Sequence, residues 1–319
     1  MVGLEIQVDE NAMADGSLLI PERSNGIPDV LDEARWELEF MLKMQVPSDT
    51  PEQLINGKMI NVSGLVHHKL HDNQWTPLPT DPSQDDKRRE LHRPSTCATL
   101  NMAAVAAQGA RIFRQYDVDF ADQLLVAARK AYSAAKMHPA IYAPGTDWDL
   151  GGGAYADNDA TDDFYWAASE LYITTAEQKY LTDLMLSPWH AHKMDWAFSW
   201  GQVAALGRLD LAVVPNRLPD RSRIITSVLK AADDIIALQS RQAFGIPTTS
   251  FPCTHCLERW RRTSDKEDAA YRCGECKDHY RDALSLELLR ARLQAERARG
   301  QAKPFTFHTL ALELYDQGK

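Results

Sequence analysis

Apolar residues at Ile27, Val30, Leu31, Ala34, Leu38, Met41 and Leu42 fall three and four apart, the spacing of one buried face of a helix. That pattern predicts a helix from Pro28 to Met44. Pro28 is placed where a first turn tolerates it, and Pro47 lies just past the end. Two alanine-rich helices are predicted at Ser95–Arg114 and Phe120–Lys136, and the short Gln115–Asp119 connection makes them antiparallel neighbours. A loop bearing Gly151, Gly152 and Gly153 leads into a helix from Thr161 to Thr174. Shorter helices are expected at 176–186 and 200–208. A last one, Arg221–Ser240, carries Ile224, Ile225, Val228, Leu229, Ala232, Ile235, Ile236 and Leu238. No strand series and no repeat of solenoid length stands out. Residues 45–94 hold Pro47, Pro51, Pro77, Pro79, Pro82 and Pro94, and so long an irregular stretch in a compact domain is often functional. The expectation is an all-α fold of helix pairs joined by long aromatic-bearing loops, an α/α toroid with a cleft at one end.

The pattern changes at Gly245–Pro252, a cluster of chain-breaking residues. It sets the expected domains at 1–251 and 252–319. Beyond it, Tyr280–Ala298 reads as an Arg/Glu/Leu-rich helix with Leu284, Leu288, Leu289 and Leu293. Before that helix come two Cys-x2-Cys pairs, Cys253 with Cys256 and Cys273 with Cys276, separated by 16 residues. Four thiolates at this spacing suit one tetrahedral Zn²⁺, which would supply the folding energy that so short a segment lacks. His255 and His279 are spare donors; the alternatives are a redox dithiol pair or a tail from fused or frame-shifted coding sequence. The fifth cysteine, Cys97, lies at a helix start and reads as an inert buried thiol.

Composition narrows the partners. The 319 residues are 44% hydrophobic and 25% charged, with net charge −10, an ordinary globular balance. Residues 253–319 carry 13 basic and 11 acidic side chains, against 22 and 34 in the rest. So acidic a body disfavours nucleic acid, whose phosphates need a positive field, and suits a neutral polysaccharide. The run Arg259-Trp-Arg-Arg262 in the tail could meet an acidic partner or nucleic acid, the latter as the minor option. No segment reaches the ~18 apolar residues of a membrane span. The first ten residues lack a basic n-region and an apolar h-region, so a cytoplasmic protein, or one whose natural start is missing, is expected.

Several segments carry a family resemblance. They are Ala14-Asp-Gly-Ser-Leu-Leu-Ile-Pro-Glu22, Asn25-Gly-Ile-Pro-Asp through Val46-Pro47, and Val66-His-His-Lys-Leu-His-Asp-Asn-Gln-Trp75. Pro94-Ser-Thr-Cys-Ala-Thr-Leu-Asn101, Gly151-Gly-Gly-Ala-Tyr-Ala-Asp157, Thr161 to Tyr172, Phe198-Ser-Trp-Gly201 and Leu206 to Ala212 follow in order. Together they resemble the catalytic domain of family 9 glycoside hydrolases, the endoglucanases. The resemblance implies an (α/α)6 toroid, endo-hydrolysis of β-1,4-glucans (cellulose) with inversion, and a protein usually secreted. It also implies sugar contacts at His71 and Trp75, a His-x-x-x-Trp pair, and at Tyr155 and Trp200. An indole stacks on the apolar face of a pyranose, and an imidazole donates to its hydroxyls. Packing of these rings on the core is the competing reading. Some members bind Ca²⁺ near the acidic run before Thr161, here Asp159, Asp162 and Asp163. Hard oxygen ligands suit that ion, although helix capping also explains acids at this position, and Asp159-Ala-Thr-Asp162 resembles a capping box.

The departures bear on activity. The family's Asp-Ala-Gly-Asp motif, with its general base, is absent from residues 1–30; Asp9 and Asp15 lie outside that context. No segment after Phe251 matches the one holding the general-acid glutamate. An inverting hydrolase needs both carboxylates, so impaired hydrolysis is expected, and whether the chain is an enzyme stays open. An incomplete toroid would also expose apolar helix faces, which an oligomer or a partner would cover. The alternative is a non-catalytic carbohydrate-binding or zinc-dependent interaction protein.

Overall fold

The computed structural model describes residues 14–144, 151–192, 194 and 199–241. The four tail cysteines, the expected boundary at 251 and the Tyr280–Ala298 helix lie outside the described residues. The chain divides into two compact units, 1–233 and 234–319. Of the second unit only the end of the last helix is described.

The first helix, α1 (Asp29–Met44), buries Val30, Leu31, Leu38 and Met44. Its start is wrapped by the preceding loop. The Asp29 carboxylate accepts from the backbone N–H of Gly16 and Leu18, and Asn25 donates to Asp32 at 2.9 Å. Its outer face leaves Trp36 72% exposed, beside Glu37, Glu39, Phe40 and Lys43.

Residues 45–95 contain short strands that their sequence did not announce. The strands are β1 (Gln53–Ile55), β2 (Lys58–Ile60), β3 (Val66–His67), β4 (Leu70–Asp72), β5 (Arg89–Leu91) and β6 (Pro94–Ser95). They form three antiparallel pairs, β1–β2, β3–β6 and β4–β5. Runs of two or three residues are too short to display a period-2 pattern. Under them, Val46, Ile55, Val62, Leu65, Ala134 and Ile141 make a small second core.

The helical body follows. Its helices are α2 (Thr96–Phe113), α3 (Val118–Met137), α4 (Thr161–Thr175), α5 (Gln178–Leu186), the short α6 (Pro188–Ala191), α7 (Ala204–Val213) and α8 (Arg221–Arg241). Ser95 caps α2 by accepting from Ala98 N–H, and Asp117 caps α3 by accepting from Phe120 N–H. Asp117 also takes Arg35 of α1 at 2.8 Å. The expected helix at 200–208 starts later, at Ala204, and runs on to Val213.

The most extensive packing runs from α2 to α3, from α2 to α4 and from α4 to α7. Alanines make this close: Ala103, Ala104, Ala106, Ala107, Ala128, Ala131 and Ala167 are buried. At Gly207 of α7 a Cβ would come within 3.0 Å of the Trp166 Cα of α4, so a larger residue would push these helices apart. Trp166 is buried, as a core residue should be. A buried polar network ties α2, α4 and α7. Arg111 of α2 donates to Glu170 of α4 at 2.9 Å and to Thr174 at 2.7 Å, and its guanidinium lies 3.7 Å from Asp210 of α7. Gln108 donates to Asp210 at 2.8 Å. Burial, partly offset by Arg111, holds the Glu170 carboxyl well above the usual carboxylate range. The result is an all-α fold in which α2, α4 and α7 begin beside the same group of loops.

Candidate functional site

Those loops are the β3–β4 turn with the stretch after it, residues 151–160, and residues 199–203. Hydrogen bonds join the first two. His68 accepts from the Ser95 hydroxyl through Nδ1 and donates through Nε2 to the Ala154 carbonyl, while Lys69 donates to the Gly153 carbonyl at 2.8 Å. The glycines are required by contact. A Cβ on Gly151 would lie 1.7 Å from the Asp72 carbonyl oxygen, and one on Gly152 would lie 3.2 Å from the His71 ring. The 151–153 backbone therefore lies directly on β4.

This packing presents three aromatic side chains. Trp75 is 70% exposed, Tyr155 55% and Trp200 63%. Tyr155 adopts φ +48°, a left-handed conformation that costs a non-glycine residue free energy. Its ring meets Trp200 edge to face, with centroids 5.9 Å apart. None of the three rings is core packing, which was the competing reading of them. His71, expected to pair with Trp75, points elsewhere: its Nδ1 donates to the Asp72 carbonyl, and its Nε2 lies 2.7 Å from Nε2 of His92. His67 and His68 diverge. His67 donates to the His92 carbonyl at 2.6 Å.

Below the aromatics is an acidic cluster. Asp163 and Asp162 are buried on the first turn of α4. Asp162 accepts from Val203 N–H at 2.7 Å, which ties the start of α4 to the loop before α7. Asp163 accepts from Asn101. Ligand atoms of Cys97, Asp157 and Asp163 all lie within 4.8 Å of one another. Oδ2 of Asp157 and Oδ2 of Asp163 are buried without a hydrogen-bond partner. Burial first, then the neighbouring Asp162 and Asp157, pushes the Asp163 carboxyl up to about 8. Burial also raises Asp162, and raises the Cys97 thiol so that it stays protonated.

The expected capping box does not form. The N-cap of α4 is Ala160, without a side-chain cap, while Asp159 accepts from Thr161 N–H and is exposed. Of the three acids expected to hold calcium, the structure brings Asp162 and Asp163 into the buried cluster and leaves Asp159 at its surface. It adds Asp157 and Cys97, which sequence reasoning missed. Asp157 belongs to the same Asp-rich run and was open to inclusion. Cys97 is 66 residues from Asp163, and only the packing of α2 on α4 brings them together. The orphaned carboxylate oxygens are what a bound cation would satisfy.

The sequence model of Glycosyl hydrolase family 9 matches residues 8–268. The chain belongs to glycosyl hydrolase family 9. This bears out the resemblance, and the match runs past the expected boundary at Phe251. Endoglucanase C of Cellulomonas fimi is 52% identical over 237 residues, covering 74% of this chain and 20% of that protein. Cellulose 1,4-beta-cellobiosidase of Acetivibrio thermocellus is 42% identical over 260 residues, covering 75% of this chain and 28% of that protein. A crystal structure of a metagenome-derived family 9 endoglucanase superimposes with a TM-score of 0.66 at 31% identity, over 77% of this chain and 42% of that one. The chain thus spans less than a third of the length of these two curated relatives.

Proposed function

We propose that this chain is the glucan-holding part of a family 9 endo-β-1,4-glucanase, and that it binds β-1,4-glucan through Trp75, Tyr155 and Trp200. The exposure of these three rings on loops pinned to one another carries the reading. Large aromatic faces that a monomer would otherwise bury are what a pyranose chain stacks on. Relatives named as an endoglucanase and a cellobiosidase support the substrate class. His71 braces the loop that bears Trp75 through its contacts with the Asp72 carbonyl and His92. A calcium ion held by Asp157 and Asp163, with Asp162 and Asp159 beside them, would neutralise the buried carboxylates and fix the loop that carries Tyr155. Four thiolates from Cys253, Cys256, Cys273 and Cys276 would hold a Zn²⁺ in the tail.

Inverting hydrolysis needs a base and an acid about 6.5–9.5 Å apart. The sequence contains no Asp-Ala-Gly-Asp segment to supply the base. The chain by itself is therefore a binder whose hydrolysis is impaired. Native electrophoresis through gels with and without hydroxyethylcellulose tests the binding, and reducing-sugar release from carboxymethylcellulose tests the chemistry. The expected outcome is retardation by the glucan with release equal to the buffer blank. Unretarded migration would overturn the binding. Release that survives repeated purification would overturn the impairment.

A further inference from the structure

The β4–β5 hairpin carries a second group of ligands, separate from the acidic cluster. In its register His71 stands directly opposite Glu90, and Asp72 opposite Arg89. Side chains alternate faces along a strand. His92, two residues beyond Glu90, therefore shares the face of His71 and Glu90 and is the diagonal neighbour of His71. The His71 and His92 rings stack with centroids 4.8 Å apart and planes 25° from parallel. One ligand atom from each of His71, Glu90 and His92 lies within 4.8 Å of the others.

The tautomer of His71 decides what this group can do. A carbonyl oxygen only accepts, so the contact from Nδ1 to the Asp72 carbonyl places the proton on Nδ1. Nε2 of a neutral His71 is then a bare lone pair aimed at Nε2 of His92. A backbone carbonyl that holds one ring nitrogen while the other is presented is the arrangement that orients metal-binding histidines. Without an ion, His92 satisfies the pair by donating its Nε2 proton. With one, both nitrogens are bare and turn to the metal. A tetrahedral ion with bonds of about 2.05 Å separates its ligand atoms by about 3.3 Å. The 2.7 Å between the nitrogens therefore opens by roughly half an ångström, which side-chain rotation supplies.

We propose that His71, Glu90 and His92 form a binding site for one divalent transition-metal ion, with a fourth position left to water. Two imidazoles and one carboxylate select Zn²⁺, Co²⁺ or Ni²⁺ over Ca²⁺ and Mg²⁺. Arg88 pairs with Glu90 at the outer edge without closing the site, since Arg88 is largely exposed. The ion would lock the hairpin crosswise at His71, four residues before Trp75 and against the Gly152 backbone. The metal site does not depend on glucan binding.

Co²⁺ is the probe. The full chain, with Cys253, Cys256, Cys273 and Cys276 all replaced by serine, is freed of metal by dialysis against chelator and titrated with CoCl₂. The proposal expects one equivalent of visible d–d absorption with no thiolate-to-metal charge transfer in the near ultraviolet, and displacement by ZnCl₂. His71→Ala and His92→Ala should each weaken Co²⁺ at least about 100-fold, and Glu90→Gln at least about tenfold. Asp157→Asn, in the acidic cluster, should leave the titration unchanged. Circular dichroism before metal addition confirms that each variant is folded. Glu90→Gln keeps the shape of its side chain and guards against a folding artefact. Absence of saturable absorption would overturn the site and leave a hydrogen-bonded histidine pair. So would a titration unmoved by His92→Ala, or one abolished by Asp157→Asn.

Discussion

Removing the Arg111 guanidinium tests the polar tie between α2, α4 and α7. Arg111→Met keeps the length of the stem and leaves Glu170, fully buried, and Asp210, 3% exposed, without their cation. At 2.9 Å from Glu170 and 3.7 Å from Asp210, each attraction amounts to about 4–6 kcal/mol at an effective dielectric of ~20. Desolvation and the carboxylate–carboxylate repulsion cancel much of that sum. Breaking one side of a buried pair costs about 3–5 kcal/mol net. For a body of this size that lowers Tm by roughly 6–20 °C. The surface pair Arg114–Asp122, 2.8 Å apart with side chains 43% and 62% exposed, is the control. Arg114→Met should cost no more than about 1 kcal/mol. Glu170 adds a pH signature. Burial raises its folded-state pKa above the unfolded value, so the folded state holds the proton more tightly. Its contribution to stability is full below about pH 4.3 and is lost as pH rises toward the folded pKa. In Arg111→Met that loss steepens, so the penalty should grow from pH 5 to pH 8. Glu170→Gln in the same chain should recover part of it. Urea unfolding followed by circular dichroism reads all of these. An Arg111→Met midpoint equal to that of Arg114→Met, or a penalty that shrinks with rising pH, would refute the reasoning.

Elemental analysis of protein purified without chelator should find zinc in the tail, and Cys273→Ser should lower the content by about one equivalent per chain; unchanged content would reject the four-thiolate site. Calcium at about 100 times its Kd should stabilise the wild type by roughly 2.7 kcal/mol and stabilise Asp157→Asn far less, as read by thermal melting; equal shifts would remove Asp157 from the site. Gly151→Ala, whose Cβ would fall 1.7 Å from the Asp72 carbonyl oxygen, should push residues 151–155 off β4. Glucan affinity should fall about tenfold with little change in Tm, and unaltered retardation in glucan gels would show that the loop does not position Tyr155.

The helices were legible because their apolar periodicity is long. Asp29–Met44 and Thr161–Thr175 end within a residue of where the pattern places them. The helix placed at 200–208 slipped to Ala204–Val213, because its first turn is preceded by a bridge between Ser199 and Gln202 that no periodicity encodes. Strands of two or three residues between 53 and 95 carry too little pattern to read. The exposed aromatics at 75, 155 and 200 were found through the resemblance, since periodicity alone cannot tell a loop ring that faces water from one that anchors the loop. Ligand groups assembled across elements stayed hidden. Cys97 reaches Asp163 only through helix packing, and Glu90 reaches His71 only through hairpin register.

The central claim is that Trp75, Tyr155 and Trp200 form one glucan-binding surface. Titration of cellotetraose into the chain, followed by tryptophan fluorescence, tests it most directly. The account predicts a saturable change that Trp75→Ala and Trp200→Ala each weaken about tenfold, close to 1.4 kcal/mol. A flat titration, or a binding curve that Trp75→Ala leaves in place, would contradict it.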